Sequence, residues 1–158
     1  MILKLIYTLF LALIVALFVG LGIDAFYPGP SVPQEPVGII YDKMECLTHE
    51  EKDTRLDFEQ AQRDFVEASK PYNRNASIIT IISAVIILII SLTLLNKIKM
   101  IADGILLGGV FTTIYGIIRG LMSEDTKFRF IIVTVGLIIA LVLGYIKFIK
   151  NQEKSSIP

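Results

Sequence analysis

Hydrophobic positions along this chain are gathered into four long blocks instead of alternating with polar ones. Leu5 to Ile23 and Ala76 to Asn96 hold no charged residue, Ile101 to Leu121 is interrupted only by Asp103 and Arg119, and Phe130 to Ile146 is again uncharged. At a rise of about 1.5 Å per residue, each block is about long enough for the roughly 30 Å hydrocarbon core of a bilayer. In water, four buried helices would need more surrounding polar sequence than the chain contains. The pattern predicts an all-α polytopic membrane protein, four transmembrane helices packed in a bundle.

Three of the blocks carry small residues at every fourth position. The third has Gly104, Gly108, Thr112, Gly116 and Gly120; the first has Ala12, Ala16 and Gly20; the fourth has Gly136, Ala140 and Gly144. On a helix this spacing lays small side chains along a slowly drifting stripe, where a neighbouring backbone can approach closely. Spans one, three and four are therefore expected to form the tight core. The second block is rich in isoleucine and is expected to face lipid the most.

Between the first two blocks the character changes. Four prolines between Pro28 and Pro36 predict an extended spacer, since proline fixes φ and lacks a backbone donor. Thr48 with Glu51 resembles a capping box at a helix start. Beyond it Phe58, Ala61, Phe65, Ala68 and Tyr72 form a short heptad-like seam on an otherwise charged helix. That seam either packs on the protein's own surface or meets a second copy or another protein. Pro71 is expected to end or kink this helix. The segmentation that follows is a first transmembrane helix over 1–24, a Pro-rich segment over 25–47 and an extracytoplasmic amphipathic helix over 48–72. Transmembrane helices over 75–96, 101–122 and 128–149 and a tail over 150–158 complete it.

Composition agrees with the pattern and charge orients it. The 158 residues are 54% hydrophobic with net charge zero, too oily for an ordinary soluble domain. Residues 24–74 hold eleven acids against six bases, a net of minus five, and the remainder nine bases against four acids, a net of plus five. Lys4, Lys97, Lys99, Lys147, Lys150 and Lys154 fall on one side of a four-span chain, which the positive-inside rule makes cytoplasmic. Lys127, Arg129, Lys70 and Arg74 lie on the other side and weaken the bias without reversing it. Both termini are then cytoplasmic and the acidic segment faces outward. The first span reads as a retained signal anchor, because its apolar run exceeds a typical signal core and carries a packing ladder. Cys46 is the single cysteine and cannot form an intramolecular disulfide.

Charged residues at the bilayer edge normally pair or serve a function. Asp103 and Arg119 lie about 24 Å apart along one helix, too far to pair with each other. Topology places Asp24 beside Arg119 and Lys4 beside Asp103, so these are expected as two interhelical ion pairs. A proton- or cation-carrying Asp103 is the functional alternative. The single histidine, His49, excludes a multi-histidine metal site, and there is no nucleophile elbow, Cys-x-x-Cys pair or phosphate-cradling loop. No catalytic residue, metal or cofactor is expected, and the acidic soluble segment argues against nucleic acid as a partner. Asn75-Ala76-Ser77 matches a glycosylation pattern but reads as a polar start to the second span.

Ile101-Ala102-Asp103-Gly104-Ile105-Leu106-Leu107-Gly108-Gly109-Val110-Phe111, continuing to Tyr115-Gly116-Ile117-Ile118-Arg119-Gly120, resembles a motif of small uncharacterised four-span membrane proteins of candidate-phyla bacteria. Tyr72-Asn73-Arg74-Asn75 and Ala25-Phe26-Tyr27-Pro28 are similar to that group as well. The resemblance implies a bacterial inner membrane and carries no assigned activity. The leading expectation is a non-enzymatic membrane protein whose partners are the lipid bilayer and, through the outer helix, a second copy or another membrane or envelope protein. The alternative is a small oligomeric transporter or channel subunit built around the glycine-rich third span.

Overall fold

The structure, a computed structural model, describes residues 2–35, 49–94 and 98–149. Four α-helices follow in order: α1 (Ile2–Phe26), α2 (His49–Leu94), α3 (Lys99–Leu121) and α4 (Thr126–Gly144), the last running into a π-helical turn at Tyr145–Ile149. Each contains a stretch long and apolar enough to cross a membrane. Cys46, Thr48, Lys97, Lys150, Lys154 and the tail 150–158 lie outside the described residues.

The interior is inverted relative to a protein folded in water. The largest fully buried side chains are Thr80, Thr112, Ser77 and Ser91, while Leu3, Phe18, Leu21, Phe130 and Leu141 are exposed. Water would drive the second group inside. In hydrocarbon there is no such drive, and helices associate through small residues and short polar side chains. Fold and composition thus agree on a multi-pass membrane protein.

α3 is the hub, in contact with α1, α2 and α4, whereas α1 and α2 meet only marginally. α1 runs parallel to it: Gly104 meets Leu11, Gly108 meets Val15 and the Ala12 carbonyl, and Asp24 reaches Arg119. α2 and α4 run antiparallel to it. Every fourth residue of a helix advances by about 40°, so Gly104 and Gly120 point about 160° apart. The five-residue ladder therefore serves three neighbours. Gly104 and Gly108 face α1, Gly116 faces Ile81 and Thr80 of α2, and Gly120 receives Ser77 from α2 and Ile132 from α4. Gly109, outside the ladder, takes Leu88 of α2.

Two expectations are corrected here. The second span is not the most lipid-facing: 33% of its apolar window is buried, against 11% for the first and fourth. The reason is a heptad of small residues inside the isoleucine run. Ser77, Ala84 and Ser91 are all fully buried, and Ser77 and Ser91 donate hydrogen bonds to the Gly116 and Ala102 carbonyls at 2.6 and 2.7 Å. The donors and the acceptors are each fourteen residues apart, so two bonds set one antiparallel register across about 21 Å of helix. The other ladders, conversely, are only partly used. Ala12 is fully buried and Gly136 packs on Ile117, but a Cβ at Gly20 or Gly144 would meet nothing, and Ala140 is exposed.

The second correction concerns Pro71 as a helix end. The expected extracytoplasmic helix over 48–72 and second transmembrane helix over 75–96 are one unbroken element, α2, about 69 Å long by its 46 residues. Proline removes one donor and crowds the preceding turn. Here the turns on both sides of it are held by other elements, through Lys70 before it and Tyr72 and Asn73 after it. α2 therefore extends beyond the apolar block as a helical arm of about 40 Å, His49 to Asn75.

Candidate functional site at the base of the arm

Arg119 organises the end of the bundle where the arm begins. It lies in the last turn of α3, where a cation complements the partial negative charge of the helix terminus. Its guanidinium donates from Nε to the Tyr115 hydroxyl at 3.0 Å, from Nη1 to Asn73 Oδ1 at 2.9 Å and from Nη2 to Asp24 Oδ1 at 3.4 Å. Its carbon also lies 5.3 Å from the ring centre of Tyr72 and 5.5 Å from that of Tyr115, within cation–π range. One side chain thereby ties α1, α2 and α3 together.

A second layer surrounds it. Tyr27, just past α1, stacks on Tyr72 with ring centres 5.3 Å apart and planes at 11°. Asn75 donates to the Tyr27 hydroxyl at 3.0 Å, and the Tyr72 hydroxyl donates to Asp24 at 3.4 Å. Gly29 brings the start of the Pro-rich segment onto the Tyr72 ring, where a Cβ would sit 3.1 Å from the ring carbons. Outside this layer Lys70 pairs with Glu124 at 2.8 Å in the α3–α4 turn. The hydrogen bond from Lys70, and then its charge, hold the Glu124 carboxyl below the usual glutamate value. Glu124 has φ of +59°, a left-handed conformation unusual for a residue with a Cβ. Tyrosines at this depth suit the aromatic belt of a membrane interface.

The structure brings together Asp24 and Arg119. It does not pair Lys4 with Asp103: the Asp103 carboxylate accepts from Lys147 Nζ, beyond α4, while Lys4 and Asp103 line a common groove. Of the seam residues, Phe58, Phe65 and Tyr72 are half-buried, whereas Ala61 and Ala68 are exposed. Tyr72 belongs to the clamp more than to the seam. Ser77 is fully buried in its bond to α3, and Asn75 donates to Tyr27, so both polar residues of the glycosylation pattern have partners within the bundle.

Sequence reasoning missed Tyr27, Asn73, Tyr115 and Lys147 as site residues. Asn73 and Tyr115 had a signal: each lies at the depth of Arg119, and Tyr115 is four residues before it on one helix face. Chemically the cluster is a clamp. Its donors are matched to aromatic, amide and carboxylate partners. Among the described residues no group of three His, Cys, Asp or Glu side chains is close enough to hold a metal. No family model matches the chain, nor does any curated protein or solved structure.

Proposed function

We propose that this is a non-enzymatic membrane protein of interaction type, which holds the arm of α2 away from the bilayer to contact a partner protein or a second copy. The observation that carries the reading is the continuity of α2 from His49 to Leu94, gripped where it leaves the bundle by Arg119, Tyr27 and the Lys70–Glu124 pair. A hinged or melted junction would let the arm fold back. A clamped one holds it in one orientation and lowers the ordering cost of meeting a partner. The arm carries Phe58 and Phe65 half-buried beside exposed Ala61 and Ala68 among acidic and basic residues, a surface that suits helix–helix contact.

The lysine-rich end with Lys4, Lys99 and Lys147 is assigned to the cytoplasm and the acidic arm to the outside of a bacterial inner membrane, by the positive-inside rule. Cys46, as the single thiol, tests this directly. A membrane-impermeant maleimide should label it in intact spheroplasts, and labelling only after lysis overturns the orientation. For the arm, a photo-crosslinking residue at Ala61 or Ala68 of the full chain in native membranes should give one discrete adduct, absent when the same residue replaces Leu141. Equal diffuse adducts at all three positions refute the reading. The transport alternative draws no support from the packing of a single copy, because the α3 glycines are met by Leu11, Val15, Leu88, Ile81 and Ile132 instead of lining a water path.

A further inference from the structure

At the end of the bundle opposite the arm, α1 and α3 flank an open groove of about 610 Å³, walled by Ile2, Lys4, Leu5 and Thr8 on one side and Lys99 and Met100 on the other. We propose that this groove binds the phosphate headgroup of an anionic phospholipid, with its acyl chains lying along the apolar wall. The inference does not depend on the arm.

Charge is the first ground. Lys4 and Lys99 both line the groove, both are exposed, and among the described residues neither has a carboxylate within ion-pair distance. Asp103 also borders the groove, but its carboxylate is taken by Lys147. The groove thus keeps two uncompensated ammonium groups. The helices add to this: α1 and α3 both begin at this level, neither has an acid in its first turn, and the residue capping α3, Ile98, offers no side-chain acceptor.

The walls decide the kind of anion. Ile2 and Leu5 are 75% and 71% exposed, so the groove opens sideways onto the same apolar surface that meets hydrocarbon. A lysine stem of four methylenes reaches from such a wall toward the headgroup layer. A small soluble phosphate could meet the ammonium groups but would leave the apolar wall uncovered. A phospholipid satisfies both at once, and basic pockets between transmembrane helices on the cytoplasmic side are suited to anionic headgroups.

The test uses the full chain in detergent micelles, titrated separately with phosphatidylglycerol, phosphatidylcholine and inorganic phosphate, with native mass spectrometry for retained lipid and thermal melting for stabilisation. Phosphatidylglycerol should be retained and should raise the melting temperature, and phosphatidylcholine should do neither. Lys4→Gln with Lys99→Gln should weaken phosphatidylglycerol retention roughly thirtyfold, about fivefold for each lysine near an anionic surface. Lys52→Gln with Lys127→Gln, both away from the groove, should leave it unchanged. If the double variant does not fold, each single variant should still show its own fivefold loss. Equal retention of the two lipids overturns the proposal, as does undiminished retention in the groove variants. A matching stabilisation by inorganic phosphate alone assigns the groove to a soluble anion and overturns the lipid.

Discussion

Gly108→Ala tests a close approach between α1 and α3. A Cβ at Gly108 would lie 2.8 Å from Val15 Cβ and 3.2 Å from the Ala12 carbonyl oxygen. Carbon atoms rest about 3.5–4.0 Å apart, so the first contact is about 0.7–1.2 Å too short. Neither obstacle can swing away: one is the branch point of a stiff β-branched side chain, the other is backbone. The helices must separate, at a cost of about 1–3 kcal/mol. Alanine also regains about 1 kcal/mol of helix propensity over glycine. That gain cancels when Gly108→Ala is compared with Gly20→Ala, because a Cβ at Gly20 meets nothing within 4 Å. The difference between the two variants therefore isolates the packing cost. Unfolding in mixed micelles, followed by far-UV circular dichroism against added denaturing detergent, reads it. Gly108→Ala should be less stable than Gly20→Ala by about 1–3 kcal/mol. A difference below about 0.5 kcal/mol, the scatter of neutral surface changes, refutes the intimate α1–α3 contact.

Four further outcomes follow from the same packing. Ser77→Ala and Ser91→Ala should each cost about 0.6 kcal/mol and no more than about 1.7, and the two should add, as sites fourteen residues apart share no partner; the same detergent titration measures both. Arg119→Lys should loosen the arm despite keeping the charge, since an ammonium cannot present three donors in the fixed planar fork that reaches Tyr115, Asn73 and Asp24, and faster amide exchange over residues 70–75 would show it. Glu124 is held below its usual value by Lys70, so its stabilisation is full above the ordinary glutamate range and fades as pH falls through the lower folded value; melting temperature should lose that acid-side slope in Glu124→Gln. Pro71→Ala should strengthen the junction by restoring a donor to the turn before it, read as slower amide exchange at 67–70 with unchanged helix content.

The elements were legible because their cause is local. Each apolar block forms a helix on hydrophobicity and length alone; the bounds of α1 and α3 fall within two residues of those expected, while α4 starts two residues early and gives way to the π-helical turn after Gly144. Packing partners were less legible. A run of small residues shows that some backbone can come close, but not which one. Gly144 and Ala140 continue a ladder by spacing and yet stand open, because α4 touches the hub chiefly at Gly136, Ile132 and beyond its end at Lys147. The small heptad of α2 was hidden for the opposite reason: serine at 77 and 91 is small, but the isoleucines between dominate the eye. Pro71 was read by its local cost, whereas the clamp that outweighs it is assembled from three distant segments.

Depth and azimuth separate what could be read about the ion pairs. Counting residues from each membrane edge gives depth, and this was enough to place Asp24 with Arg119, since α1 and α3 are parallel neighbours. It also put Lys4 level with Asp103. What it omitted was rotation. Gly104 faces Leu11 of α1, and Asp103, one residue earlier, is turned about 100° from that direction. Ile117, fourteen residues on, returns to within about 40° of Asp103, and Ile117 packs on Gly136 of α4. Asp103 therefore belongs to the α4 side of the hub, where Lys147 arrives, and the periodicity that identified the glycine ladder contained this answer. The same rotation explains why Lys4 is left beside Lys99 without an ion-pair partner, so the misplaced pair and the electropositive groove have one geometric cause.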